Sequence, residues 1–329
     1  MITFNKLITI AALTLSAGAM AAENYEPPRT ESGKPDLQGF WTNASITTMQ
    51  RSSNYEDIGL TIPLEQLGEL TANNHQNVRQ ATDDNQVQGE LPSGQDLGQG
   101  RGYNAFWVDP GSAFGYVKGE YRTSWITYPE NGRIPYSEEG NRLRQANRAK
   151  FSGNDGPEGR ALGERCIIGF GSTGGPPMNN VLYNNMYQIV QTDDYVMIMV
   201  EMAHDARIIP IDGDHRPDAW KPWLGDSIAY WDDDVLVVET RNLHPQQAPR
   251  NIAALSDEGN VVERFTRYSD EQILYEFEVT DPIFYTEAWS GEMAFNATDT
   301  QPYEYACHEG NYGLPGILGG ARRLEMDEQ

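Results

Sequence analysis

In "VEMAHDARIIPIDGDH" (200–215), Glu201, His204, Asp205 and Arg207 stand at the edge of an apolar run. These are residue types of acid–base catalysis. An imidazole titrates near neutral pH, and a neighbouring carboxylate fixes its tautomer and raises its basicity. A guanidinium beside them can hold a substrate carboxylate or stabilise an oxyanion. If residues 195–208 ran as one strand, His204 would share a face with Val196, Ile198, Val200 and Met202. Glu201, Asp205 and Arg207 would take the other face. A hairpin tip at Ala203-His204-Asp205 is the competing geometry, and both gather the group at one end of a sheet. The alternative to chemistry is a solvated turn with a structural salt bridge.

A second concentration is "DGDHRPDAWKPWLGD" (212–226), where Asp212, Asp214, His215, Asp218 and Asp226 alternate with Trp220 and Trp223. It reads as a polar loop pinned by tryptophans, or as a lid whose Trp220 and Trp223, with Tyr230 and Glu201, touch an apolar ligand. In the lid geometry Asp226 lies near His204 as its orienting carboxylate. The Asp spacing could supply calcium ligands, but the twelve-residue calcium loop with its terminal glutamate is missing. Third, His308 and Glu309 directly follow Cys307 in "EYACHEGNYGLPG" (304–316). They offer a second acid–base pair, or a cap on the barrel end. No two histidines stand at metal-ligand spacing and the cysteines are too distant for a zinc knuckle, so no metal site is expected. "GFGSTGGPP" (169–177) lacks the Lys-Ser/Thr of a phosphate loop and reads as a flexible loop; no Gly-x-Ser-x-Gly elbow occurs. No cofactor is expected.

The elements that must position these groups are mostly strands. "YQIVQT" (187–192), "YVMIMVEM" (195–202), "ARIIPI" (206–211), "DSIAYW" (226–231) and "VLVVETRN" (235–242) have strand composition. "VVERFTRY" (261–268), "QILYEFEVT" (272–280), "AWSGEMAFNA" (288–297) and "YEYACH" (303–308) continue the series. Acidic and polar turns at 193–194, 232–234 and 269–271 separate several of them, and Asp232-Asp233-Asp234 reads as a hairpin tip rather than a metal cluster. Consecutive strands without intervening helices predict a mainly β fold: an antiparallel up-and-down barrel of eight or nine strands over 181–329. Closure removes the edges that invite aggregation and leaves room for side chains or one small ligand. Residues 22–180 hold the short strand "LQGFWTN" (37–43) and the surface helices 62–80 and 137–150. Between those helices lies an ordered loop that buries Phe106, Trp107, Phe114 and Tyr116. This segment is expected to wrap the barrel within one integrated domain.

The chain has 329 residues, 39% of them hydrophobic, and a formal charge of −24 with a pI near 4.5. Such acidity repels nucleic acid and anionic membranes, and suits solubility in salt. Lys6, the apolar "LITIAALTLSAGA" and Ala19-Met20-Ala21 form a signal-peptide pattern over 1–21 that is too short for a membrane anchor. An exported, periplasmic or secreted protein is therefore expected. Its two cysteines, Cys166 and Cys307, then predict one disulfide, closing a loop of about 140 residues worth at most roughly 5 kcal/mol.

"GKPDLQGFW" (33–41), "TYPENGRIPYSEEG" (127–140), "RCIIGFGSTGGPPM" (165–178), "YNNMYQIVQTDDYVMIMVEMAHDARIIPIDG" (183–213), "WLGDSIAYWDDDVLVVET" (223–240) and "YEYACHEGNYGLPGILGGAR" (303–322) span nearly the whole chain after the leader. Together they resemble a large family of exported bacterial proteins with a Pro-Asp-Leu-x-Gly-x-Trp opening; the resemblance assigns no residue a catalytic role. "GFW" (39–41) is also similar to the Gly-x-Trp opening of lipocalins. The functional expectation is a cofactor-independent lyase, isomerase or hydrolase acting on a hydrophobic or aromatic small molecule held in the barrel. His204 would be the base, Asp205 or Asp226 its orienter, Arg207 the anion holder, and His308 with Glu309 the second acid–base pair. A lipocalin-like carrier of the same ligand is the alternative, and a structural protein with a filled barrel is a third. The oligomeric state is open.

Overall fold

The computed structural model describes residues 25–78, 110–151, 153–247 and 252–327. The signal-like stretch 1–21, Phe106 and Trp107 lie outside the described residues. The strands are β1 (Gly39–Thr42), β2 (Thr61–Ile62), β3 (Tyr116–Val117), β4 (Glu120–Arg122), β5 (Ile126–Tyr128), β6 (Met186–Gln191) and β7 (Tyr195–Val200). They continue with β8 (Ala206–Pro210), β9 (Asp226–Asp232), β10 (Val235–Arg241), β11 (Asn260–Arg267), β12 (Gln272–Thr280) and β13 (Trp289–Ala297). Nine of them pair antiparallel in the order β8-β7-β6-β1-β13-β12-β11-β10-β9, a nearly closed barrel. β5 pairs with β13, and β2, β4 and β3 form a separate small sheet.

The barrel is not built from residues after 181 alone. β1 lies between β6 and β13, with Trp41 opposite Tyr187 on one side and Ala297 on the other. One stave from the leading segment joins the hairpins β6–β8 to the meander β9–β13, so position 180 divides the sequence but not the barrel. Of the rest of the leading segment, residues 173–179 enter the barrel, while the helix Glu138–Lys150 lies on the surface, its Ser137 hydroxyl accepting the Gly140 N–H at 2.8 Å as N-cap. The earlier helix spans Leu64–Ala72, short of the expected 80. A break at 73–74 interrupts it, and helix resumes over 75–78, where the Asn74 side-chain oxygen accepts the Gln76 N–H at 3.0 Å as an N-cap; residues 79–80 lie outside the described residues. "YEYACH" is not a strand. Both edges of β13 are already occupied by β1 and β12, so the chain leaves the sheet and makes a helical turn at Cys307–Gly310, then the helix Gly313–Asp327.

An odd number of staves has a geometric consequence. Alternating directions leave the two terminal strands, β8 and β9, parallel where they meet. Among the described residues, the only bridge across that seam is the parallel pair Ile211↔Ala229 at one end, supported by the Asp212 N–H to the Ala229 carbonyl at 2.7 Å. Side chains lace the other end from inside. Arg207 of β8 forms a two-armed ion pair with Glu263 of β11 and also donates to Ser227 of β9 (3.2 Å) and Thr240 of β10 (3.1 Å). The Tyr275 hydroxyl donates to Glu263 at 2.7 Å, and burial with the adjacent Glu263 charge holds its phenol well above the usual range. Both ion-pair partners are essentially excluded from solvent.

The rest of the barrel interior is aromatic. Tyr187, Phe265, Tyr275, Phe277, Trp289 and Phe295 are each at most 3% exposed, with ring centroids 4.8–5.7 Å apart in a chain of contacts. These side chains fill the space reserved above for a ligand, correcting that expectation; the large cavities among the described residues lie at the barrel's ends and seam. The glycine-rich stretch is likewise not flexible. Residues 173–179 are buried, and the barrel's own phenols hold that backbone: Tyr187 donates to the Thr173 carbonyl (3.0 Å), and the Met178 N–H donates to the Tyr275 oxygen (2.9 Å). A buried loop keeps its peptide groups satisfied in this way.

Arg207→Met should strand the Glu263 carboxylate in the core and cost about 3–5 kcal/mol in urea unfolding, whereas Arg207→Met with Glu263→Leu should recover at least half of that loss. Equal stability of the single and double variants would show that the pair does not hold the seam.

Candidate functional site

The apolar run ends in a hairpin, not a long strand. β7 and β8 flank a short helical turn, Met202–His204, in which Ala203 (φ 58°) and His204 (φ 52°) adopt left-handed backbone. Such conformations are uncommon for residues bearing a Cβ and persist where surroundings enforce them. Here the Val200 N–H closes the hairpin onto the Asp205 carbonyl at 2.9 Å. The loop at Gly169-Phe170 packs on the tip. A Cβ at Gly169 would come within 3.0 Å of Met202 and 3.2 Å of the Asp205 carboxylate, so only glycine allows that approach.

The tip sends its polar groups in three directions. Arg207 points into the barrel, where its guanidinium is committed to Glu263, Ser227 and Thr240, which corrects its expected role as an anion holder. His204 is exposed, but its Nε2 lies 3.2 Å from both the Tyr303 carbonyl and the Tyr305 N–H. In one tautomer it donates to the carbonyl; in the other it accepts from the amide. Either way the ring clamps the C-terminal strap. Glu201 is 4% exposed and turns to a different cavity, with Asn184 donating to it at 2.8 Å.

Asp205 remains. It lines a cleft of about 420 Å³ that opens where β8 and β9 part, together with Asp226, Ser227, Trp223, Leu224 and Ile168. The Gly169 N–H donates to Asp205 Oδ2 at 2.7 Å. Burial is the main influence and pushes the carboxyl up to about 6, against the opposing effects of the Gly169 bond and the nearby His204 charge. Asp226, at the start of β9, is 6% exposed. Its Oδ2 accepts from His215 Nδ1 at 2.9 Å and from the Arg216 N–H at 2.9 Å. The carboxylate therefore holds His215 as the Nδ1–H tautomer and leaves Nε2 as the basic nitrogen. The imidazole of Asp226 is His215, not His204.

Of the remaining expected residues, Trp223 lines the cleft and stacks on His244 with ring centroids 3.9 Å apart. Trp220 is half exposed beneath the Arg216 guanidinium, and Tyr230 sits on the outer face of β9 with its hydroxyl 3.5 Å from Glu239. Both stand outside the cleft lining. His308 and Glu309 are exposed on the Cys307–Gly310 turn and line neither cavity, so they supply no second acid–base pair there. Cys166 and Cys307 are disulfide-bonded, as expected. Among the described residues, no group of three or more His, Cys, Asp or Glu is placed to hold a metal ion, and no helix is long and apolar enough to cross a membrane.

No family model, curated protein or solved structure matches the chain.

The folded value of Asp205 lies above its usual 3.8, so the fold favours the neutral carboxyl. That contribution is complete below about pH 4 and is lost as pH rises through about 6. Asp205→Asn keeps an acceptor for Gly169 and should stabilise the protein at pH 8 by of order 2 kcal/mol, with the gain vanishing by about pH 4. Thermal unfolding across that range checks it; a pH-independent difference contradicts the burial assignment.

Proposed function

We propose that the seam cleft is an acid–base site for a small, largely apolar molecule. Asp205 is the group that exchanges a proton near neutral pH, and the His215–Asp226 dyad is its partner. The carrying observation is the convergence of a buried carboxyl raised to about 6 and a carboxylate-held imidazole's anchor, Asp226, on one cleft. A group poised near the working pH transfers protons in both directions. Trp223, Leu224 and Ile168 give the cleft its apolar wall. Lyase or isomerase chemistry, in which a proton leaves one atom and returns to another, suits a carboxyl that gives and takes a proton near neutral pH beside a guanidinium, Arg216, in the same wall. Compared with the expectation from sequence, the chemistry moves out of the barrel; His204 lines the cleft while clamping the strap, and His215 reaches the cleft through Asp226.

An exported location is part of the proposal. The leader-like pattern at 1–21, the resemblance to exported bacterial proteins and a disulfide joining residues 141 apart all support it.

The test uses 5-nitrobenzisoxazole, a generic probe whose ring opens when a carboxylate removes its C–H proton and the N–O bond breaks. The protein should open it about a hundredfold faster than equimolar acetate, with the rate rising through about pH 6 and lost in Asp205→Asn. A rate no better than acetate's, or one indifferent to Asp205→Asn, removes the proposal.

A further inference from the structure

On the far side of the hairpin tip lies a second cavity of about 900 Å³, roofed by the C-terminal strap. The strap is tied down at three places: the Cys166–Cys307 disulfide, the His204 clamp on Tyr303 and Tyr305, and Asn311, which donates to the Glu164 carbonyl at 2.8 Å. Phe170, Tyr183, Tyr303, Tyr305, Met186 and Leu314 give the cavity an aromatic and aliphatic lining. Glu201 and Asn185 are the buried polar residues in its wall, and Asn185 is taken up by the Val181 backbone. Asn184 bonds the Glu201 Oε1, and among the described residues neither carboxylate oxygen meets a cationic side chain. Among the described residues, the cavity wall contains no lysine, arginine or histidine; its other charged groups are Glu164, paired to Arg160, and Glu304.

A carboxyl group in the wall of a largely apolar cavity is a natural anchor for a cationic ligand. The aromatic faces point to the same partner, because ring quadrupoles attract cations. The cavity has the volume and lining of a small-molecule site, with one polar anchor to orient the ligand. The overall charge of −24 draws cations toward it. We propose that this cavity binds an organic monocation, an ammonium carried on an apolar or aromatic body, with Glu201 as its counter-ion and the strap tyrosines around the cationic head. This site is separate from the seam cleft and does not depend on chemistry there.

Three probes of matched size distinguish the charge from the apolar body: phenethylammonium, 2-phenylethanol and phenylacetate. Calorimetric titration in about 0.15 M salt, where surface attraction is screened, should rank the cation at least about tenfold tighter than the alcohol, with no binding of the anion. Glu201→Gln should weaken the cation about tenfold and leave the alcohol within about twofold. Tyr303→Leu, on a side chain 71% exposed and outside the core, provides a second variant that should weaken the cation severalfold. Asp205→Asn should leave all three unchanged, which keeps this result separate from the fate of the cleft proposal. Equal affinities of wild type for cation and alcohol, or undiminished cation binding in both Glu201→Gln and Tyr303→Leu, would overturn the assignment.

Discussion

Arg207 and Glu263 carry the seam on which this barrel depends. Nine alternating staves cannot close with every neighbour antiparallel, so β8 and β9 meet in parallel and share one backbone bridge, Ile211 to Ala229. An open pair of edges would be a hazard for any sheet protein. Here the closing bonds come from side chains: a guanidinium on β8 reaches a carboxylate on β11 and hydroxyls on β9 and β10. Burying that pair carries a large desolvation penalty, and the geometry offsets it by using both carboxylate oxygens, two hydroxyls and a phenol. Tyr275 then links the same network to the loop that plugs the barrel through the Met178 amide. One polar knot in an aromatic interior thus joins the seam, the meander and the plug.

The cleft follows from the same seam. β8 and β9 are held at Ile211 and laced by Arg207, and beyond that lacing they separate. The wedge between them is lined by the tip residues Asp205 and Ala206 on one side and by Gly225 and Asp226 on the other. Gly225 has φ 78°, and a Cβ there would lie 2.6 Å from Thr240, so the approach to β9 depends on glycine. The hairpin tip separates this wedge from the cavity behind it. Glu201 and Asp205 are four positions apart in sequence, yet one faces the strap and the other the seam. The left-handed residues Ala203 and His204 turn the chain between them. Strained backbone at this point has a structural consequence: it lets a short hairpin present carboxylates to two separate cavities.

Much of the fold was legible because strands advertise themselves. "QILYEFEVT" is so rich in β-branched and aromatic residues, with alternation over Tyr275–Thr280, that its expected and observed limits coincide at Gln272 and Thr280. The acidic triplet did prove to be a hairpin tip, with Asp233 at φ 52° and Asp232 opposite Val235. The disulfide followed from cysteine count and compartment. The failures have physical causes. Nothing local in "GFW" says that β1 will enter between strands almost 150 and 260 positions away, because strand pairing is set by long-range register. "YEYACH" has strand composition but no free sheet edge to join. The glycine-rich stretch looked flexible because its support, two phenols inside the barrel, lies in remote segments.

The site residues divide in the same way. Sequence identified the tip, Asp226 and Trp223 as neighbours of a cavity, but could not say which imidazole Asp226 would choose. His204 is the closer match by pattern, since it ends a strand beside carboxylates. His215 lies eleven positions before Asp226 in an irregular loop, and no helical or strand period relates them. What decides the pairing is the loop's return path: the Arg216 amide also bonds Asp226, so backbone and ring are fixed together. The position of a catalytic candidate was therefore set by a main-chain bond, which residue types do not reveal. His204, the base expected from sequence, is instead the latch of the neighbouring cavity's strap.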